Sequence, residues 1–382
     1  MHIPIKNIYY LLSYAWNKLE EGERINAAQM GCETLIDLLA SVLANGAAYV
    51  LRRGLDRGYV PYLEETATLR GRIDATTTLK RTYFAAPRIF CQYDEFQHNI
   101  LQNQILKTTM FNVLRLPELH RDIRGRLEQC YRKLTNIDRL TLTKRHFGLV
   151  QLHRNNGFYD LLLDVCQLIY ENLFVDEQSG AATFNDFVRD EKKMAALFEA
   201  FLRNFYKREQ KQFKVEREEI RWDATPLNDV SHGLLPKMQT DISLTSSDRK
   251  IIIDTKYYKE ALHVHYDKEK IISSNLYQIH AYLTNLESLG GVNVHCEGIL
   301  LYPTVTQELD LHYDIKGHQV SVRTIDLSQE WPIIKQRLLR IISPDANSTL
   351  LSSLFELDNV ELLSSCYAAP PLVPPQAGGD VQ

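Results

Sequence analysis

Met238-Gln239-Thr240-Asp241-Ile242-Ser243-Leu244, then Thr245-Ser246-Ser247-Asp248-Arg249, then Lys250-Ile251-Ile252-Ile253-Asp254-Thr255-Lys256-Tyr257-Tyr258 is the stretch that decides the fold. Two β-rich runs flank a polar turn, the pattern of a hairpin. Alternation puts Gln239, Asp241 and Ser243 on one face of the first strand, and Ile252, Asp254 and Lys256 on one face of the second. A turn centred between Ser247 and Asp248 sets Asp241 directly opposite Asp254, with Cβ atoms about 5 Å apart. Two carboxylates that close repel each other unless a cation lies between them. Octahedral Mg²⁺ binds oxygen at about 2.1 Å and keeps several waters. Asp241, Asp254, a backbone carbonyl and waters would satisfy it. Lys256 lies roughly 6.6 Å further along the same face. There an ammonium can hold an attacking water or neutralise a phosphorane-like transition state. The sum is a recipe for metal-assisted phosphodiester hydrolysis. On spacing alone, a surface hairpin with an Asp–Lys pair is an equally good reading, because Asp-x-Lys is short. Against it, Ile251-Ile252-Ile253 implies a buried central strand, and burying Asp254 and Lys256 at its end is costly without a role.

Neighbouring helices offer further groups. Asp186 to Arg208 reads as a helix with Met194, Leu197, Phe198, Phe201 and Phe205 on one face. Glu199 borders that stripe and can reach a metal or a bridging water; the alternative is a solvated helix glutamate. Gln278 and Tyr282 share a face of a helix over Ile272 to Leu289, apart from its core stripe of Leu276, Ile279, Leu283 and Leu286. They can bond to a carboxylate or phosphate, or be ordinary polar residues of the helix. His263-Val264-His265 has strand-like ligand spacing but no acidic or cysteine partner at a familiar distance.

Working outward, helices are expected at Ile5 to Trp16, Cys32 to Arg53, Asn99 to Leu114, Pro117 to Leu134 (proline at the first helical position), Asn156 to Leu173 and Ile333 to Ile342. Tyr59 to Phe90 breaks into short β-like pieces, and Val292 to Tyr302 reads as a strand. The α-β-β-β-α-β order of the second half points to a mixed α/β domain, within a chain of mixed α+β character overall. The expected division is 1–155, a mixed helix and small-sheet domain; 156–345, the domain carrying the hairpin; and 346–382, an extension. Gln178 to Ala182 is a plausible hinge. The extension ends in a proline-rich tail, Ala368 to Gly379, which is expected to be disordered.

The chain has 382 residues, 45% of them hydrophobic and 24% charged. Those values exclude collagen, a coiled-coil rod and a disulfide scaffold. With 44 Lys+Arg against 48 Asp+Glu the net charge is −4, so bulk positive charge cannot hold this chain on DNA. Contact needs a local patch or a partner. Arg203, Lys207, Arg208, Lys211, Lys214, Arg217 and Arg221 form a modest basic run, interleaved with glutamates. The six cysteines are scattered, with no CxxC pair for zinc, and suit a reducing cytoplasm. No signal peptide and no run of about 18 apolar residues is seen, so no membrane association is expected. No GxxxxGK[ST] and no Gly-Lys dipeptide occurs, so a P-loop is missing.

The hairpin, with its D…D-x-K arrangement, resembles the PD-(D/E)xK nuclease superfamily. Leu234 to Ile242 followed by Ile253 to Lys259 is similar to the McrC family, the nuclease subunits of McrBC 5-methylcytosine-dependent restriction systems. Asn7 to Trp16, Gly71-Arg72-Ile73, Tyr131 to Leu134, Phe184 to Phe187, Asn275 to Gln278, Leu301-Tyr302-Pro303 and Gln329 to Pro332 agree. The resemblance runs from about residue 3 to residue 342. It implies a restriction-endonuclease-like domain that cuts DNA with Mg²⁺, in which Asp241 and Asp254 are metal ligands and Lys256 the catalytic lysine. Gln278 matches a glutamine common after that core, and Glu199 the more variable upstream acid. It also implies a McrB-like AAA+ GTPase partner that reads methylated cytosine in DNA and binds the GTP. The N-terminal domain would plug into that ring and stimulate it. The β-rich stretch from Tyr59 to Phe90, with Arg70, Arg72 and Arg81, is the candidate contact. Two other functions compete: a non-catalytic activator of a GTPase ring, and a repair or recombination nuclease without methyl specificity.

Overall fold

The computed structural model describes residues 3–25, 32–82, 88–152, 157–175, 182–225, 227, 234–257, 262–265, 268–304 and 308–343. Most of the expected hinge and the whole of the 346–382 extension, with its proline-rich tail, lie outside the described residues.

The first part of the chain comprises α1 (Ile5–Ala15), α2 (Leu19–Ile25), α3 (Leu35–Arg53), β1 (Gly58–Thr66), β2 (Arg72–Ile73), α4 (Ala75–Thr82), β3 (Ile89–Gln97), α5 (Leu101–Leu114), α6 (Arg121–Lys133), α7 (Lys144–Leu149) and α8 (Gly157–Asn172). The ribbon of β4 (Leu173–Val175) and β5 (Ala182–Phe184) leads to α9 (Glu191–Glu209). Then come β6 (Lys214–Glu216), β7 (Glu219–Ile220), β8 (Met238–Gln239), β9 (Ile242–Thr245), β10 (Lys250–Thr255), β11 (Leu262–His265), β12 (Lys268–Ile271), α10 (Ser273–Glu287), β13 (Glu297–Pro303), β14 (Asp310–Ile315), β15 (His318–Ile325) and α11 (Trp331–Ile342).

α3 is the spine of the first part. Thr34 caps it by accepting from the Asp37 amide, and Asp37 in turn accepts the His120 amide at the start of α6. The helix is long and apolar enough to cross a membrane, yet 72% of its apolar window is buried within the fold. That is how a core helix behaves. α8 packs on α3 and α5, so by packing it joins the helices of the first 150 residues. The region expected to be β-like holds a three-stranded antiparallel sheet, β1-β3-β2, but also the helix α4. Asp74 makes that helix by capping it: its carboxylate accepts the Thr77 amide and hydroxyl. Gly71 sits at φ +70°, where an added Cβ would lie 2.5 Å from the Gln92 carbonyl oxygen. Only glycine lets β2 approach β3 this way.

The second part is built on a six-stranded mixed sheet, ordered β14-β15-β13-β10-β9-β6. β10 pairs antiparallel with β9 and parallel with β13, the latter through the α10 crossover. All three isoleucines of β10 are fully buried, as a central strand covered on both faces requires. Ile251 and Ile253 pack toward Phe198, Phe201 and Phe205 of α9, whereas Ile252 packs toward Ile279 and Leu283 of α10. Each contributes roughly 1.5–3 kcal/mol of burial. Gly298 on β13 permits close approach of α10, since a Cβ there would fall 2.8 Å from Ile279.

α1 crosses to the second part. Tyr10 stacks on Trp331 at 4.5 Å, Tyr14 donates to Glu209, and Asn7 donates to the carbonyls of Leu327 and Gln329. Three sequence expectations need correction. α6 begins at Arg121, capped by the His120 ring, not at Pro117. α9 begins at Glu191, because Asp186 caps only a short 3-10 turn and Asp190 then caps the helix proper. β13 begins at Glu297, because Gly290 and Gly291 both take positive φ and end the preceding segment.

Candidate active site

The hairpin forms in the expected register, with Ile252 opposite Ser243 and Ile253 opposite Ile242. The ladder stops at that last pair, one step short of Asp241 and Asp254. Asp241 uses its side chain instead. Its Oδ2 accepts the Thr255 amide at 2.7 Å and the Thr255 hydroxyl at 2.9 Å. The main chain of Asp241 is approached by Arg203, whose Nη1 lies 3.4 Å from the carbonyl oxygen.

Asp254 is 1% exposed. Neither of its oxygens accepts a well-directed hydrogen bond, although Lys256 Nζ stands 2.8 Å from Oδ2 as an ion pair. Burial pushes the Asp254 carboxyl up to about 6, against the pull of Lys256 and with further push from Asp241 and Glu199. The group is therefore close to its titration point near neutral pH.

Lys256 leads into a chain of side chains. Its Nζ donates to Gln278 Oε1 at 3.0 Å, Gln278 Nε2 donates to the Tyr282 hydroxyl at 2.8 Å, and that hydroxyl donates to the Gln239 carbonyl at 3.0 Å. The chain returns to β8 two residues before Asp241. Burial raises the Tyr282 phenol above its ordinary value, which keeps it a donor. Gln278 and Tyr282 reach this position because α10 lies on the same sheet face as Ile252 and Asp254, held down at Gly298.

Glu199 is placed differently. Its carboxylate takes Arg203 at 2.7 Å and Arg217 at 3.6 Å, so two guanidiniums occupy it while it adds negative field at Asp254. His263 and His265 lie on β11. Sequence reasoning saw Arg203 only as part of a basic run, and overlooked Thr255 and the bonds made by Glu218. Glu218 carried no readable signal, since the strand before it, Lys214-Val215-Glu216, has a single apolar residue and reads as one more charged stretch.

A divalent cation fits what is here. Two buried oxygens on Asp254 lack hydrogens, and a second carboxylate is near enough to raise its pKa. Among the described residues no group of three His, Cys, Asp or Glu side chains is close enough to cage a metal. A donor set of carboxylates, without a histidine or cysteine grouped with them among the described residues, suits the oxygen preference of Mg²⁺ rather than that of structural zinc.

Residues 6–303, which include all five candidate residues, match the family described as McrBC 5-methylcytosine restriction system component. The chain belongs to that family. It is 36% identical over 339 residues to the type IV methyl-directed restriction enzyme EcoKMcrBC of Escherichia coli K12, covering 89% of this chain and 97% of that relative. Its fold resembles a chain in the half-complex of Thermococcus gammatolerans McrB AAA+ hexamers with bound McrC, at a TM-score of 0.54 and 17% identity, over 89% of this chain and 76% of that one. Asp241, Asp254 and Lys256 lie within the region matched to this McrBC restriction family.

Proposed function

We propose that this chain is the DNA-cleaving subunit of a modification-dependent restriction complex, hydrolysing phosphodiester bonds at a PD-(D/E)xK centre of Asp241, Asp254 and Lys256. The observation that carries this reading is Asp254, a buried carboxylate with no well-directed hydrogen bond, set between an ammonium and a second carboxylate. Lys256 offsets one charge of this pair of carboxylates, and a divalent cation would offset the other. Asp241 and Asp254 would hold Mg²⁺, which supplies polarisation of a phosphoryl oxygen and a more acidic water. The chain's own residues do the rest. Thr255 fixes the rotamer of Asp241 through its amide and hydroxyl. Lys256, steadied by Gln278, orients an attacking water and offsets negative charge growing on the phosphoryl oxygens. Tyr282 keeps Gln278 in place by anchoring it to the backbone of β8.

The partner on this reading is a McrB-like AAA+ GTPase that binds GTP and recognises DNA carrying methylated cytosine. The absence of a Gly-Lys dipeptide and the archaeal McrC bound to McrB AAA+ hexamers support that division of labour. The N-terminal part would meet the ring through the β1–β3 sheet. By register, Tyr59, Leu63, Phe96 and Arg72 share one face of it, and the three apolar side chains are more than half exposed. Such a patch calls for a cover. Arg70 lies 4.2 Å from the Tyr93 ring and pairs with Glu95, and Arg81 approaches Phe90, which leaves Arg72 as the arginine on the open face.

The test is co-purification with a McrB-like GTPase, then plasmid cleavage with GTP and Mg²⁺ on methylated and unmethylated DNA. Cleavage restricted to methylated DNA, with an Asp254→Ala chain that assembles and stimulates GTP hydrolysis but leaves the plasmid whole, is the expected result. Cutting by the Asp254→Ala complex would refute the assignment. Equal cutting of both plasmids would favour the nuclease without methyl specificity.

A further inference from the structure

We infer that Glu218 is a positioning residue for Asp241, clamping the chain on both sides of it where the β9–β10 ladder has run out. The inference rests on the reading of Asp241 as a cation ligand. The problem it solves is geometric. The last paired residue of β9 is Ile242, so the backbone at 240 and 241 has no ladder to β10. A cation ligand on an unpaired backbone would be poorly ordered, and metal sites depend on the groups that orient their ligands.

Glu218 supplies the missing restraint, just after β6. The Thr240 amide donates to the Glu218 carbonyl at 2.9 Å. The Glu218 amide donates to the Thr240 hydroxyl at 2.9 Å. That is a two-way clamp on the residue before Asp241. Two residues after it, the Ser243 hydroxyl donates to Glu218 Oε2 at 2.8 Å. Thr240 and Ser243 are both fully buried, so these bonds are shielded from water. The carboxylate is fixed in turn by Lys250, whose ammonium reaches Oε1 at 2.9 Å and Asn293 Oδ1 at 2.9 Å. Lys250 is 5% exposed and lies on β10 on the same face as Ile252 and Asp254.

Stability alone does not explain this cluster. A buried lysine–glutamate pair is often matched or surpassed by an apolar pair of similar volume. What an apolar pair cannot do is accept from Ser243; the grip on Thr240 is made by the main chain of residue 218 and the Thr240 hydroxyl, so the two halves of the clamp can be removed separately. The neighbouring Arg217 points the other way, to Glu199 on α9. Residues 217 and 218 thus straddle Asp241, one toward each helix layer.

The experiment uses the full chain with Mn²⁺ as the probe, by titration calorimetry without DNA, GTP or partner. The double substitution Glu218→Leu/Lys250→Met removes the carboxylate and its counter-charge together, leaving no unpaired buried ion. The expected result is a melting temperature equal to or above wild type with Mn²⁺ affinity lowered about tenfold, and cleavage by the complex recovering at raised Mn²⁺. Thr240→Val, which removes one hydroxyl, should weaken binding about threefold and decides the matter if the double variant does not fold. Wild-type Mn²⁺ affinity in a folded double variant, or in Thr240→Val, overturns the inference. Asp241→Asn separates the two levels. If it too binds Mn²⁺ as wild type does, the assignment of Asp241 as a ligand has failed rather than the clamp.

Discussion

Replacing Asp254 by asparagine should make the metal-free protein more stable at neutral pH while ending its function. Burial lifts the carboxyl from 3.8 to about 6, which at about 1.36 kcal/mol per pH unit is about 3 kcal/mol. The folded state holds this proton up to about pH 6, whereas the unfolded chain releases it near 3.8. Between those values the folded state binds more protons, so stability falls as pH rises. The loss is nearly complete by about pH 7, where the charged carboxylate opposes folding by almost the full amount. Asparagine has the same shape and no charge. It leaves Lys256 without its anion, which returns part of the gain. A net stabilisation of about 1–2 kcal/mol at pH 7, or roughly 2–8 °C in Tm, is expected. Thermal unfolding of both proteins in EDTA from pH 4 to 8 measures it. The wild type should lose stability relative to Asp254→Asn as pH rises from 4 to about 7, with a flat difference above. Adding Mn²⁺ at pH 7 should then raise the Tm of the wild type alone, since only the native carboxylate site gains from binding. A stability difference that does not change with pH, or an asparagine variant less stable than wild type at pH 7, would refute the reasoning.

Three further outcomes are expected. Lys256→Met should lower cleavage by the complex about 10²–10³-fold yet keep Mn²⁺ binding, because it removes a cation from beside Asp254 and no ligand; undiminished cleavage would deny Lys256 its role. Gly298→Ala should cost about 1–3 kcal/mol by forcing α10 off the sheet at Ile279, and should displace Gln278 with it, read as a lower Tm together with weaker cleavage. Asn7→Ala leaves the buried carbonyl of Leu327 unpaired and should cost about 1–3 kcal/mol, measured by urea unfolding; an unchanged midpoint would show that α1 is not fastened there.

The alternation of residues 238–258 was enough to place Asp241, Asp254 and Lys256 near one strand end, because period-two geometry and a short polar turn leave few registers open. Ile251-Ile252-Ile253 likewise announced a strand covered on both faces. The Gln278–Tyr282 pair was legible as a helix face, since three-to-four spacing is local information. The start of α6 was misread because Pro117 suits a first helical turn, while the cap that wins is the His120 ring, two residues before Asp122. α4 was hidden inside a β-like stretch because its eight residues form around a single capping aspartate, Asp74.

Local chemistry could not reveal that the ladder gives out before Asp241, that Thr255 takes its carboxylate, or that Glu218 and Arg217 reach in opposite directions around it. Those facts join residues 14 to 32 positions apart, and Glu199 is turned to Arg203 and Arg217 by packing of α9 across the sheet. Sequence periodicity determined which groups share a strand face. Only the tertiary structure decided which of them are buried and which hydrogen-bond or ion-pair partner each one takes, because burial and partnership are properties of what the rest of the chain brings alongside.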